Sequence, residues 1–351
     1  MFHCVSSFEF EKINFMKNKK PVLVCLSDSL TKKELLRLEG MDRFRLIATQ
    51  DGDRDWLEKH LPQADAYMAS LRVQLDAALI ETATRLRVVG TNTTGTDHLD
   101  LKALKRRGIE VLSLKNDIDF LRKVTPTAEL AFGLLLACAR RIRECSESSR
   151  QGYWARHQMA GSLLYGKTIG IIGLGRLGTM VAGYAGAFHM RVIATDPGTH
   201  EFPDFVKRVS LEQLLSEADF ISIHVHLNDE TRNLLGAGEF SKMKKGAILI
   251  NTSRGGLIDE KALLKAMMNG TVAAAGLDVI DGEWLEDKYN HPLIAYSRSN
   301  PNLLITPHVG GTCPESTRAS LGHTLSKLAA FFSGVQQAPR TAIKSSAKKR
   351  D

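Results

Sequence analysis

The chain has 351 residues, of which 43% are hydrophobic and 25% charged, a length that suits two domains. No apolar run reaches the roughly 18 to 20 residues of a membrane span, so we expect no membrane protein. The five cysteines are scattered and include no C-x-x-C pair, which argues against a disulfide scaffold. Sparse cysteines without a signal peptide favour a cytoplasmic location.

The net charge of +8 is concentrated at the two ends of the chain. Residues 1–20 carry two of the excess positive charges and residues 340–351 carry four, so the rest of the chain is nearly neutral. We interpret residues 1–20 and 336–351 as flexible tails and expect no nucleic-acid partner. Binding of nucleic acid by the basic tail is the alternative, because lysines and arginines neutralise phosphates.

Between residues 21 and 119, short apolar runs alternate with amphipathic stretches. Strands that alternate with helices predict βαβ units and a parallel sheet. The predicted strands are residues 22–26, 45–48, 64–68, 87–90 and 110–112, and the predicted helices between them include residues 32–38, 75–84 and 100–107.

A predicted helix over residues 128–142 is apolar on almost every side. We therefore expect a neighbouring domain or subunit to bury it. A second alternating set follows and predicts a second α/β domain. Its predicted strands are residues 168–173, 191–195, 220–225, 247–251, 276–279 and 303–306, and its predicted helices include residues 176–188, 211–216 and 261–268.

Gly173, Gly175 and Gly178 form a G-x-G-x-x-G pattern, with Arg176 and Leu177 between the last two glycines. The pattern follows a predicted strand and opens a predicted helix, as in a dinucleotide-binding βαβ unit. The first glycine allows a tight turn, the second lets a pyrophosphate approach the backbone, and the third allows close helix–strand packing. The N–H groups at a helix N-terminus bind phosphate. We therefore predict that this loop binds a dinucleotide cofactor.

Asp196 ends the next predicted strand of this unit, 18 residues after Gly178. A carboxylate at this place accepts hydrogen bonds from the adenosine ribose and repels a 2′-phosphate. The sequence thus predicts NAD(H) rather than NADP(H). The alternative is a glycine-rich turn with a surface aspartate.

Three further segments place polar side chains at strand ends, where open α/β sheets bind ligands. Arg254 follows a predicted strand, and its planar guanidinium suits bidentate binding of a carboxylate. Asp278 and Glu283 lie at and beyond the end of the next strand, and His308 follows the last one. Taken singly, a histidine or glutamate at such a place usually has only a packed or solvated role, and an arginine has one about as often as not.

Together these segments resemble the D-isomer-specific 2-hydroxyacid dehydrogenase family. The resemblance runs from about Val22 to Phe332. Its most specific parts are the glycine loop with Asp196, the run Asn251-Thr-Ser-Arg254-Gly, the run Gly276-Leu-Asp278-Val, and the run Thr306-Pro-His308-Val-Gly-Gly.

The resemblance implies an NAD-dependent enzyme that transfers a hydride to or from C2 of a small 2-oxo or 2-hydroxy acid. His308 resembles the catalytic acid/base of the family, and Glu283 resembles the carboxylate that pairs with it. Arg254 resembles the residue that binds the substrate carboxylate. Asp278 and the backbone around Thr252 resemble contacts on the nicotinamide side of the cofactor.

In the first domain, the loop with Thr93, Thr94 and Gly95 resembles the one whose N–H groups hold the substrate carboxylate. The family commonly has glycine at position 93 and proline where this chain has His226. Arg72 resembles the phosphate-contacting arginine of phosphoglycerate dehydrogenases. A phosphorylated acid, glyoxylate and hydroxypyruvate therefore stay open as substrates, and no metal is expected.

The implied architecture is α/β, with a Rossmann cofactor domain inserted into a flavodoxin-like substrate domain, both doubly wound around parallel sheets. We expect the substrate domain over residues 21–118 and 309–335 and the cofactor domain over residues 119–308. The resemblance also implies a homodimer. We expect no serine-sensing regulatory domain, because only about twenty residues follow the resemblance. The alternative is an NAD-sensing, corepressor-like interaction module on the same fold, which the basic run Lys344–Arg350 would support.

Overall fold

The computed structural model describes residues 20–334, except residues 28, 29, 155, 199, 200, 285 and 286. The described residues fall into two compact units. Unit 1 comprises the residues up to Asn116 and those from Arg318 onward, and unit 2 comprises Asp117–Thr317. The two predicted flexible tails lie outside the described residues, apart from Lys20. Within the described part of the chain, no helix has the length and apolarity needed to cross a bilayer.

Unit 1 is built around a parallel sheet. Its strands are β1 (Val22–Leu26), β2 (Arg45–Thr49), β3 (Ala66–Ala69), β4 (Val88–Thr91) and β5 (Glu110–Leu112), and the helices between them are α1 (Lys32–Leu35), α2 (Arg54–His60), α3 (Ala77–Thr82) and α4 (Leu101–Arg106). Among the described residues the strand order is β2-β1-β3-β4-β5, which is the flavodoxin-like order. Every residue of the interior strand β1 is buried, since helices cover both faces of such a sheet.

Aspartates begin three of the unit 1 helices. The carboxylates of Asp53, Asp76 and Asp100 each accept a hydrogen bond from a backbone N–H of the first helical turn, at 2.9 to 3.0 Å. This contact satisfies one of the N–H groups that a helix start leaves unpaired. The aspartates therefore set where helices α2, α3 and α4 begin.

Unit 2 contains a second, larger parallel sheet. Its strands are β6 (Thr168–Ile172), β7 (Arg191–Thr195), β8 (Val206–Arg208), β9 (Phe220–Ile223), β10 (Ala247–Asn251), β11 (Val272–Leu277) and β12 (Leu303–Ile305). Its helices are α5 (Ile118–Leu121), α6 (Pro126–Ala139), α7 (Ile142–Arg150), α8 (Arg176–Ala187), α9 (Leu211–Glu217), α10 (Ala237–Lys242), α11 (Glu260–Met268) and α12 (Pro292–Ser299), and α13 (Pro314–Ser333) begins in unit 2 and continues into unit 1.

The described strands of unit 2 run in the order β12-β11-β10-β9-β6-β7-β8. Successive residues of one strand enter different apolar clusters: Ile248 and Ile250 belong to one, and Leu249 to the other. Because side chains alternate across a strand, these clusters are the cores on the two faces of the sheet. The strand order reverses between β9 and β6, which is where doubly wound sheets bind nucleotides. The predicted fold class, two doubly wound parallel sheets, is confirmed.

Helix α6 corrects one expectation. It packs against β10, β11 and helix α8, so its own unit buries it and no neighbouring domain or subunit is needed. The helix also ends at Ala139 rather than at residue 142. Arg141 has a φ of 52°, which interrupts the helical backbone before α7 starts.

Strand β8 is absent from the sequence-based assignment. It has three residues, of which Lys207 and Arg208 are exposed, and among the described strands it pairs only with β7. An edge strand of this kind needs no apolar run, because one side of it faces solvent. Only the completed sheet reveals it.

Asp219 ties β6 to the turn before β9 and provides a prediction about stability. Its carboxylate accepts hydrogen bonds from the Thr168 N–H at 2.9 Å and from Lys244 Nζ at 2.6 Å. Burial by itself would raise the pKa of Asp219, but these two contacts outweigh it, and the pKa lies below its ordinary value of 3.8. The ionised form therefore stabilises the folded state.

We expect Asp219→Asn to lower the free energy of unfolding at pH 7 by about 1–2 kcal/mol, because hydrogen bonds to a charged group are lost. A lowered pKa gives stability that is present above the unfolded-state value and is lost as pH falls through the folded-state value. The difference from wild type should therefore shrink below about pH 4. Urea unfolding at a series of pH values measures this difference in the free energy of unfolding.

The control is Glu217→Gln, which removes an exposed ion pair with Arg191 and should lower the free energy of unfolding by less than about 0.5 kcal/mol. A pH-independent difference for Asp219→Asn would contradict the prediction.

Candidate active site

The strand ends of unit 2 bring the predicted site segments to one edge of the sheet. Along the ladders, Thr195 pairs with Ile172, Ile172 with Ile223, and Ile223 with Asn251. Asn251 then pairs with Leu277, which pairs with Ile305. These are the last residues of their strands, so the six strands end level with one another. The loops that follow carry the predicted cofactor and catalytic residues.

The glycine loop has the geometry that a dinucleotide requires. Gly173 has a φ of 91°, a conformation that side chains rarely adopt. A Cβ added at Gly178 would lie 2.1 Å from the carbonyl oxygen of Gly173, so helix α8 packs directly on the turn. Gly175 is the N-cap residue of α8, and a Cβ built there would meet no described atom within 4 Å. The space in front of Gly175 is therefore open for a phosphate group.

Arg176 and Leu177 turn their side chains away from that space. The Arg176 guanidinium donates hydrogen bonds to the carbonyl oxygens of Leu121 and Val124, and burial lowers its pKa. Leu177 packs against the apolar core on one face of the sheet. Both residues lie in the first turn of α8. Their backbone N–H groups, at the positive end of the helix dipole, are therefore the groups that would contact a phosphate.

Asp196 follows β7 and contacts the glycine loop directly. One carboxylate oxygen accepts the Leu174 N–H and the other accepts the Gly198 N–H, both at 2.7 Å. Each oxygen keeps a second lone pair with which it can accept a ribose hydroxyl. The loop and the carboxylate together fit the phosphates and ribose of NAD.

The turn after β10 carries Thr252 and Arg254. The buried Asn251 side chain holds this turn, since its oxygen accepts the Ser253 N–H at 2.9 Å and its NH₂ donates to the Arg254 carbonyl at 2.8 Å. Thr252 Oγ1 is buried and has no hydrogen-bond partner among the described residues. A buried hydroxyl without a partner, at the same sheet edge as the glycine loop, is available for contact with a cofactor. Asn251 belongs to one of the motifs of the resemblance, but its role in holding this turn was not predicted.

His308 and Glu283 are brought together. His308 Nδ1 lies 3.0 Å from both carboxylate oxygens of Glu283, and the two side chains are 22% and 16% exposed. A carboxylate only accepts hydrogen bonds, so Nδ1 carries the proton in this pair. His308 has a φ of 52°, a conformation set by the segment that holds it.

Asp278 anchors that segment. Its carboxylate accepts hydrogen bonds from the Thr306 hydroxyl and from the N–H groups of Val309 and Gly310, and its carbonyl accepts the His308 N–H at 2.8 Å. Burial raises the pKa of Asp278 in spite of these donors. Asp278 therefore also fixes the backbone on both sides of His308, a role that the resemblance did not assign.

His224, which follows β9, was not selected from the sequence. Its Nε2 lies 2.8 Å from Ser222 Oγ, while its Nδ1 is buried without a hydrogen-bond partner among the described residues. Burial lowers the pKa of His224 to about 4, so the ring is neutral at pH 7. A Cβ at Gly173 would lie 2.6 Å from the His224 carbonyl oxygen, which places His224 directly behind the glycine loop. His226, the departure from proline, is exposed.

In unit 1, the predicted substrate residues lie at the carboxyl edge of that sheet. Thr93 follows β4, and its hydroxyl donates to the Gly95 carbonyl at 2.7 Å, which closes the loop that also contains Thr94. Arg72 follows β3, and its guanidinium donates to the carbonyl of Gln50 at 2.5 Å.

A cavity of about 320 Å³ in unit 2 lies elsewhere. Ile248, Ala273 and Asn302 line it, at the starts of strands β10, β11 and β12. It is therefore at the opposite edge of the sheet, and none of the predicted site residues lines it. Among the described residues, no cluster of histidine, cysteine, aspartate or glutamate side chains could hold a metal ion.

Comparison with known proteins agrees with the fold and the motifs. Residues 24–117 match the model of the D-isomer specific 2-hydroxyacid dehydrogenase catalytic domain, and residues 132–310 match that of its NAD binding domain. A hydroxypyruvate reductase of Thermotoga maritima is 36% identical over 84% of this chain and 93% of its own. A D-3-phosphoglycerate dehydrogenase of Methanocaldococcus jannaschii is 35% identical over 85% of this chain, which spans only 55% of that relative.

A solved structure supports the same assignment. The D-lactate dehydrogenase of Aquifex aeolicus, crystallised with NAD and lactic acid, is 26% identical with a TM-score of 0.76. The alignment covers 90% of this chain and 96% of that one. The chain therefore belongs to the D-isomer specific 2-hydroxyacid dehydrogenase family, and it is an NAD-dependent oxidoreductase of 2-hydroxy acids.

Proposed function

We propose that the protein reduces small 2-oxo acids at C2, with His308 as proton donor, Glu283 as its partner and Arg254 as the substrate anchor. The observation that supports this most directly is the His308–Glu283 pair, with Nδ1 3.0 Å from each carboxylate oxygen. It lies at the same sheet edge as the glycine loop. An imidazole held by a carboxylate beside a hydride donor is suited to reduction of a carbonyl.

The proposed chemistry follows from the protonation of this pair. NADH, when bound, supplies the hydride. Glu283 keeps the proton on Nδ1 of His308 and stabilises the imidazolium, so Nε2 is the nitrogen that gives a proton to the developing alkoxide. In the opposite direction, the neutral ring takes the hydroxyl proton of the 2-hydroxy acid.

Arg254 is the proposed anchor of the substrate carboxylate. Its guanidinium is a planar fork of donors that matches a carboxylate, and it also stabilises negative charge that develops on the C2 oxygen. We propose that the backbone of the unit 1 loop with Thr93, Thr94 and Gly95 supplies further N–H donors. Arg72 would favour an acid that carries a second anionic group.

The test is a screen of 2-oxo acids with purified protein, in which oxidation of NADH and of NADPH is followed by absorbance. We expect turnover with glyoxylate or hydroxypyruvate, and faster turnover with NADH than with NADPH because of Asp196. A preference for 3-phosphohydroxypyruvate would instead support a phosphate-binding role for Arg72. Tight NADH binding without turnover of any acid would contradict the proposed function and favour the NAD-sensing alternative.

We also propose a homodimer. Four large side chains in the segment between α7 and β6 are strongly exposed in unit 2: Tyr153, Trp154, Leu163 and Tyr165 are 64%, 88%, 69% and 65% exposed. Several large apolar side chains exposed in one segment favour a protein–protein interface there. Light scattering should give twice the chain mass of 38.8 kDa, and Trp154→Glu should shift the protein towards monomer. A monomeric wild type would contradict this.

For location, we propose the cytoplasm. The four cysteines in the described part of the chain are free thiols: Cys25, Cys138, Cys145 and Cys313. Burial raises the pKa of Cys138 to about 12, so this thiol is unreactive at neutral pH. Free thiols are typical of reducing compartments.

A further inference from the structure

A second histidine–carboxylate pair lies close to the first in sequence and has no role in the proposed chemistry. Glu260 is the first residue of helix α11, and His291 immediately precedes helix α12. His291 Nε2 lies 3.2 Å from Glu260 Oε2, and the side chains are only 10% and 16% exposed. Burial raises the pKa of Glu260. Burying two ionisable groups costs desolvation free energy, so a pair of this kind is evidence for a specific structural role.

Both side chains contact the backbone of one residue, Asp281. The Asp281 N–H donates to Glu260 Oε1 at 2.8 Å, and the Asp281 carbonyl lies 3.0 Å from His291 Nε2. Since a carbonyl and a carboxylate both accept, Nε2 of His291 carries the proton that serves them. The pair therefore holds Asp281 from its N–H on one side and from its carbonyl on the other.

Asp281 begins the turn that ends at Glu283. Gly282 between them has a φ of 79°, so the chain reverses sharply there. The other side of the turn is packed as well, since a Cβ at Gly255 would lie 2.0 Å from the Ile280 carbonyl carbon and 2.1 Å from the Asp281 nitrogen. The turn with Glu283 is thus clamped between the backbone after Arg254 and the Glu260–His291 pair.

We propose that Glu260 and His291 are positioning residues for the reaction: they hold the turn 281–283 so that the Glu283 carboxylate meets His308. The inference rests on the proposed roles of Glu283 and His308. It adds a second pair that touches neither substrate nor cofactor and acts through the backbone of Asp281. A displacement of about 1 Å in a catalytic group can cost on the order of 100-fold in rate.

The experiment compares matched variants of the full chain. Glu260→Ala should lower kcat by about 10- to 100-fold, with the Kd for NADH, read from fluorescence quenching, unchanged within about twofold because the glycine loop is untouched. The control is Glu239→Ala. Glu239 also accepts a backbone N–H, that of Gly236, at 3.0 Å, but at the start of α10. Its removal should lower the Tm to a similar degree and leave kcat unaltered.

His291 provides an independent variant if Glu260→Ala folds poorly. His291→Gln keeps an N–H donor near the position of Nε2 and should retain most of kcat, whereas His291→Leu removes the donor and should lose activity as Glu260→Ala does. Rescue by the glutamine variant separates the hydrogen bond from simple packing. Equal losses of kcat in both His291 variants would contradict the proposed positioning role of Glu260 and His291.

A double-mutant cycle with Glu283→Gln is the decisive measurement. If Glu260 acts through Glu283, the double variant should have a kcat within about twofold of Glu283→Gln alone. Losses of kcat that multiply fully in the double variant would overturn the positioning role of Glu260 and His291 while leaving the role of Glu283 intact. An unaltered kcat in Glu283→Gln alone would instead overturn the proposed function, on which the positioning role of Glu260 and His291 rests.

Discussion

His308→Asn should lower kcat by about 10² to 10⁴, the usual contribution of a positioned proton donor. Asparagine removes the imidazole ring but tolerates the left-handed backbone at this position, where φ is 52°. The Asp278 contacts to the neighbouring backbone remain, so the fold and the NADH site should be preserved. Stopped-flow and steady-state oxidation of NADH measure the loss, and fluorescence quenching measures NADH binding.

The matched control for this substitution is His189→Asn. His189 also has a positive φ, 55°, but it lies beyond helix α8 and its ring contacts Tyr165. The same change of residue in the same backbone conformation should leave kcat within about twofold. Retained turnover in His308→Asn would remove His308 from the proposed mechanism, whatever the result for the control.

Arg254→Gln should lower kcat/KM by about 10² to 10³, the range typical of losing one donor to a developing oxyanion. Both kcat and KM should change, because the guanidinium is proposed to stabilise the charge on the C2 oxygen and to bind the substrate carboxylate. Asn251 holds the turn through the backbone of Ser253 and Arg254, so the substitution should not disturb it. Steady-state kinetics with the preferred 2-oxo acid measure both parameters.

Two further variants sharpen this result. Arg254→Lys keeps the charge but loses the planar fork, and it should recover only part of the activity. Arg191→Gln removes an exposed arginine that pairs with Glu217, and it should behave as wild type. A change confined to KM in Arg254→Gln would restrict Arg254 to binding and contradict its role on the C2 oxygen.

The sequence was sufficient for the features that depend on short-range pattern. Parallel strands buried on both faces read as apolar runs, and most strands of both sheets lie where such runs predict them. The glycine loop was also predictable, since the backbone conformation at Gly173 and the packing at Gly178 each demand glycine. Polar residues that follow buried strands pointed to Arg254 and His308 for the same local reason.

Features that depend on partners far along the chain were not predictable in this way. The exposed edge strand β8 has no apolar pattern, and the burial of α6 by its own sheet is a property of the assembled unit. The side chain of Arg176 was assigned with the loop, yet its guanidinium contacts the carbonyls of Leu121 and Val124, more than 50 residues away. An all-round apolar helix or a loop arginine does not reveal its partner.

The class of fold, the cofactor loop and the candidate residues for the chemistry could all be predicted from the amino-acid sequence, because each prediction follows from local backbone geometry or from residue type at a strand end. The contacts that hold those residues in place are properties of the folded chain. The resemblance already implied that Glu283 pairs with His308, 25 residues along the chain. The anchoring of the His308 segment by Asp278 and of the Glu283 turn by Glu260 and His291 requires strands and helices to be in place. Such contacts are set by the packing of the whole sheet, so no local pattern encodes them.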